Sequence, residues 1–137
     1  MKDSTFLSPL IFYAEDSAVQ TQLFSCAMQE AKPRFEVVYF LNGELLIEGL
    51  SQAEREQRPF PNLILLDLEM PILNGFETLE LLRKEKVFDE IRIFIFSSVV
   101  DDWMGKELIQ MGANAYMRKP IDLDELISII VYLDETI

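Results

Sequence analysis

A chain of 137 residues, 50% hydrophobic and 26% charged, has the composition of one globular domain with a core of its own. Its formal charge of −12 opposes binding to nucleic acid and to anionic membranes, and no cluster of Lys and Arg builds a basic face locally. With no histidine and a single cysteine, the chain is excluded from Cys/His zinc sites, Ser-His-Asp triads and internal disulfides.

The opening "MKDSTFLSPLIFYAED" holds too short an apolar run before Glu15 for a signal peptide. The longest apolar stretches, "NLILL" and "IIVYL", fall far short of a membrane span, so a cytoplasmic location is expected. "PLIFYAED" (9–16) is a β-rich run ending in acids. "SAVQTQLFSCAMQEAK" (17–32) sets Val19, Leu23 and Ala27 at helical spacing, with Pro33 just past its end and Cys26 as a small packing residue. "RFEVVYF" (34–40) is a second strand; Asn42-Gly43 breaks it, and a helix carrying Leu45, Leu46 and Leu50 fades into the polar run "SQAEREQRPFP", read as a surface extension. "NLILLD" (62–67) is the third strand, Asn74-Gly75 a turn, and "FETLELLRKE" an amphipathic helix. "IRIFIFSS" (91–98) is the fourth strand, followed by the helix "DDWMGKELIQMG", closed by Gly112. "NAYMRKP" is a short fifth strand. "DLDELISIIVYLDETI" is the last helix, with Asp122 as cap, Glu125 three residues on, and Leu123, Leu126, Ile127, Ile130 and Leu133 on its core face.

Strands as wholly apolar as "NLILL" are those buried on both faces of a parallel sheet. The expected fold is therefore α/β, a doubly wound, flavodoxin-like (βα)5 domain over 1–137, with its ligand site at the carboxyl ends of the strands. Those ends carry Glu15-Asp16, Asp67, Ser97-Ser98 and Lys119-Pro120. Carboxylates placed together repel unless a cation intervenes, and Mg2+ suits such an oxygen set. Lys119 can pair with Asp67 or bind a phosphoryl oxygen, Ser97 can donate to another, and Asp67 is placed as a nucleophile that would form an aspartyl phosphate. Taken singly, the acid pair reads as a helix cap, Asp67 as the start of a loop, Lys119 as a solvated side chain and Ser97 as a strand-end hydroxyl. Four strand ends supplying the parts of one reaction favour the functional reading.

With "YAEDS", "LLDLEMPILNGFETL", "FIFSS" and "AYMRKP", the chain resembles the receiver domain of two-component response regulators across roughly residues 9 to 135. Thirty residues separate Asp67 from Ser97 and twenty-two separate Ser97 from Lys119, which matches that family's pattern. The resemblance implies the CheY-like strand order 2-1-3-4-5. It implies that Asp67 accepts a phosphoryl group from a sensor histidine kinase or phosphotransfer protein. It further implies Mg2+ held by Asp16, Asp67 and the backbone carbonyl of Glu69, with Glu15 helping through water, and phosphate contacts from Ser97 and Lys119. Ser97 and Tyr116 become the switch pair, the Lys119-Pro120 bond is expected to be cis, and Glu69 and Val99 tune the phosphoryl lifetime.

Readout is expected on the face of the fourth helix, fifth strand and fifth helix, where Trp103, Ile129 and Tyr132 suit a homodimer or an unknown downstream protein. The fifth helix reaches the end of the sequence, so a stand-alone receiver without an output domain is expected. Glu15 and Asn74 stand where that family often has Asp. Two other readings compete: a receiver acting as a scaffold without phosphorylation, and a phosphohydrolase of the haloacid dehalogenase type. The latter would have its nucleophile on an early strand with a second Asp two residues on, where this chain has Glu69.

Overall fold

The computed structural model of the protein describes residues 8–137, so residues 1–7 of the expected domain lie outside the described residues. Five strands, β1 (Leu10–Ala14), β2 (Glu36–Phe40), β3 (Leu63–Leu66), β4 (Arg92–Ser97) and β5 (Ala115–Arg118), alternate with helices α1 (Ala18–Ala31), α2 (Gly43–Arg55), α3 (Gly75–Lys84), α4 (Asp102–Gln110) and α5 (Leu123–Thr136). The strands pair in parallel in the order β2-β1-β3-β4-β5, the expected doubly wound sheet.

The unbroken apolar run of β3 now has its reason. Ile64 and Leu66 enter the core shared with Leu46 and Leu50 of α2, Leu79 and Leu82 of α3 and Leu108 of α4. Leu63 and Leu65 enter the opposite core with Phe24 and Ala27 of α1 and Leu126, Ile130 and Leu133 of α5. A central strand covered on both sides has no polar face to offer.

Helix starts follow the sequence closely. Ser17, Asn42, Asn74, Asp101 and Asp122 each accept a backbone N–H in the first turn. Asn74 also forms a reciprocal capping box with Glu77, so the expected Asn74-Gly75 turn is the entrance to α3.

Several expectations are corrected. The buried side of α1 is Phe24 and Ala27, whereas Val19 (65% exposed), Leu23 and Cys26 face outward. Phe24 takes the inward position because its ring packs edge-on against Tyr13 and Phe96 of the sheet. The run expected as an extension is helical through Arg55, because α2 carries its buried stripe on to Ala53 before the chain leaves through Glu56–Pro61. On α5, Leu123 is exposed, whereas Ile129, expected off the core face, is half-buried and packs against the core as Ile127 does. Finally, Lys119-Pro120 is trans, as no peptide bond among the described residues is cis. The trans form of an X-Pro bond is intrinsically favoured by about 0.5–1 kcal/mol, and this turn keeps that preference.

Candidate functional site

The register of β1 on β3 pairs Ala14 with Leu66, so both strands end together and Glu15 emerges beside Asp67. The Asp67 N–H donates to the Ala14 carbonyl at 3.2 Å, and the Lys119 N–H donates to the Ser97 carbonyl at 3.1 Å, extending each pairing one residue past the strand. The site is thereby built on four strand ends and not on free loops. Glu15, Asp16, Ser17, Gln20, Asp67, Glu69, Ser98 and Lys119 line an open depression of about 360 Å3.

Asp67 is buried, and its Oδ1 accepts the N–H of Leu68 at 2.9 Å. Lys119 Nζ lies 3.6 Å from Asp67 Oδ2 but makes its close ion pair with Glu15 Oε1, with both partners buried. The expected Lys119–Asp67 pairing is thus present only as the longer of two contacts. Glu15 is held further: its other oxygen, Oε2, accepts the Ser17 N–H at 3.1 Å, and Tyr13 donates its hydroxyl to Oε1, beside Lys119, at 3.4 Å. Burial pushes the Glu15 carboxyl above its ordinary range; the bond from Lys119 opposes this, and the charge of Asp67 adds to it. Burial, then the charge of Glu15, likewise pushes the Tyr13 hydroxyl far up, so it remains a donor.

Asp16 is exposed, and one carboxylate oxygen from each of Glu15, Asp16 and Asp67 lies within 4.8 Å of the others. Three hard oxygen donors at such spacing fit a small divalent cation with Mg2+ chemistry. Glu69 is exposed at the rim, and Val99, two residues past Ser97, is 37% exposed.

Ser97 is fully buried, its Oγ accepting the Val99 N–H at 3.4 Å, whereas Ser98 lines the depression. Tyr116 lies outward on α4: its hydroxyl donates to Asp102 Oδ1 at 3.3 Å, and its ring rests against the bare backbone of Gly105, where a Cβ would collide with it. Trp103 (72% exposed) and Tyr132 are open to solvent. Ile129 does not join them.

Tyr13 is the site residue that reading the sequence missed. Its signal was present, since Glu15 follows β1 by one residue in the same extended run and lies two past Tyr13, which sets both toward one side of the sheet.

The model of the family described as response regulator receiver domain matches residues 11–131. Hybrid signal transduction histidine kinase D of Dictyostelium discoideum is 28% identical over 125 residues, 91% of this chain but 8% of that protein. Sporulation initiation phosphotransferase F of Bacillus subtilis (strain 168) is 34% identical over 79 residues, 57% of this chain and 61% of that one. The chain thus spans less than two thirds of either relative. Among solved structures, the phosphorylated cyanobacterial phytochrome response regulator RcpA superposes with a TM-score of 0.81 at 25% identity, covering 94% of this chain and 93% of that one.

Proposed function

Because the chain belongs to the response regulator receiver domain family, whose members are signalling phosphoacceptors of two-component systems, we propose that Asp67 is its acceptor and that the charge gained there switches a protein-binding face. The observation that carries this reading is the buried Asp67 at the end of the central strand, open to solvent through the depression and 3.6 Å from a lysine ammonium.

A carboxylate oxygen of Asp67 attacks the phosphorus of a phosphohistidine on a sensor histidine kinase or phosphotransfer protein. The new O–P bond forms as the P–N bond breaks, and the imidazole leaves with the electron pair. Asp16, Asp67 and the Glu69 carbonyl would hold Mg2+, with Glu15 nearby. When bound, Mg2+ neutralises charge on the phosphoryl oxygens and on the clustered acids. Lys119, already poised over Asp67, turns from Glu15 to a phosphoryl oxygen, giving the transferred group a fixed positive partner. Glu69, which lines the depression, and Val99, two residues past Ser97, govern how easily water reaches the acyl phosphate.

The Ser97 hydroxyl turns toward the new phosphoryl group, and Tyr116 leaves Asp102 and Gly105 for the space released. The readout is then the face of α4, β5 and α5, where exposed Trp103 and Tyr132 offer contacts to a downstream protein or a second copy.

Intact-mass spectrometry after incubation with acetyl phosphate and Mg2+ tests the acceptor. The wild type gains one phosphoryl group, and Asp67→Asn gains none. Labelling that persists in the variant removes Asp67 from the role, and absence of labelling beside a labelled control receiver favours the phosphorylation-independent scaffold.

A further inference from the structure

The acceptor chemistry makes no use of the Tyr13 hydroxyl, yet that hydroxyl is buried against it. Tyr13 is 1% exposed, and its ring is clamped by Phe24, Tyr39 and Phe96, with centroids 4.9, 5.8 and 5.9 Å away. A ring so confined cannot swing, so its hydroxyl meets Glu15 Oε1 from a fixed direction, at 3.4 Å. The same oxygen takes the Lys119 ammonium, and Oε2 takes the Ser17 N–H at 3.1 Å.

Glu15 has two possible employments here, because one of its oxygens also lies within 4.8 Å of ligand atoms of Asp16 and Asp67. As it lies, it is the partner of Lys119 with an oxygen already at the edge of the acid cluster; drawn inward onto a metal, it would become a third donor. The three restraints on its carboxylate favour the first. Without the phenol, an oxygen with spare acceptor capacity would be free to join the other two acids.

We propose that Tyr13 is a positioning residue that keeps Glu15 turned to Lys119, so that divalent cation binding rests on Asp16 and Asp67 while the lysine stays parked beside the acceptor. This rests on the acceptor reading and adds to it a control on metal affinity set from inside the core. The outer hydrogen-bond partners of a metal site commonly shift its affinity by an order of magnitude, and a long bond such as this one acts at the lower end.

Mg2+ titration by isothermal calorimetry on the wild type, Tyr13→Phe, Glu15→Gln and the double variant tests it. Phenylalanine keeps the ring and its packing, and thermal melts confirm that each variant is folded. The expected result is Mg2+ binding about three- to tenfold tighter in Tyr13→Phe, with no difference between Glu15→Gln and the double variant. A weaker or smaller change, or an equal shift in both backgrounds, overturns the proposal, since a packing effect would not need Glu15. Labelling of wild-type Asp67 by acetyl phosphate is read separately. If it occurs while Tyr13→Phe leaves Mg2+ affinity unchanged, only the role of Tyr13 is lost; if it fails, the acceptor reading falls and takes this role with it.

Discussion

Glu15 is the residue on which the site's electrostatics turn. Its carboxylate is buried at the end of β1, which disfavours its charge, and its bond to Lys119 only partly offsets that burial. The folded-state pKa therefore stands above the ordinary value of 4.5, and the native state binds more proton there than the unfolded chain does. Linkage then gives a negative slope: as pH rises through 4.5, the unfolded chain ionises first, and stability falls until the raised folded pKa is passed. In metal-free buffer, the urea midpoint of the wild type should decline relative to Glu15→Gln as pH rises across that window, and then run parallel to it. A gap that instead moves in the wild type's favour with rising pH would show that the Lys119 pair outweighs burial. Asp67, Asp16 and Lys119 were legible in the sequence because each is a charged residue within two positions of a strand's carboxyl end. Which acid Lys119 chooses was not legible. Glu15 and Asp67 lie close together, and the choice is made by Tyr13 and the Ser17 N–H, neither of which is visible until β1 is placed against its neighbours.

At the scale of elements, the link from β3 to α3 shows how the backbone itself is bent to serve the site. The Leu73 N–H donates to the Pro71 carbonyl at 2.7 Å, a three-residue turn centred on Ile72 at φ 71°. A β-branched residue there is strained, by about 1–3 kcal/mol. Gly75 completes the bend by donating to the Leu68 carbonyl at 3.0 Å, and a Cβ at Gly75 would stand 2.8 Å from Leu68 Cα and closer still to the Asp67 carbonyl. Because Ile72 is 72% exposed, its side chain gains little from burial. Ile72→Gly should accordingly raise stability by roughly 0.5–1 kcal/mol in urea unfolding, the relief of strain exceeding the added freedom of glycine in the unfolded chain. A loss of stability would mean that the isoleucine side chain supports the loop after all. The Asn74-Gly75 signal located this connection in the sequence, and the apolar run located β3. The stripe of α1 was harder to read, because Val19, Leu23 and Ala27 match helical spacing as well as Phe24 with Ala27 do; only contact with Tyr13 and Phe96 decides between them.

For the whole molecule, the acids at the strand ends add a local crowding of charge to a chain whose net charge is −12. Glu15, Asp16 and Asp67 crowd within 4.8 Å, and the nearby Lys119 offsets one of the three charges. The fold's other rules agree with one another: apolar central strands, capped helices, and acids and amides at the right starts. The local conflict sits where the reaction needs it, and it costs stability whenever no cation is bound. Removing one charge should therefore stabilise the protein even though it removes the acceptor. Asp67→Asn is expected to raise metal-free stability by about 1 kcal/mol, the scale of one partly screened repulsion at such a distance. Mg2+ should raise the wild-type melting temperature along a saturable curve, beyond the gradual rise produced by sodium chloride at equal ionic strength. In Asp67→Asn the saturable part should shrink or vanish while the salt-driven part, which belongs to the −12 surface, remains. Identical Mg2+ and sodium chloride curves in the wild type would reduce the acid cluster to general surface charge, leaving no specific cation for the acceptor to work with.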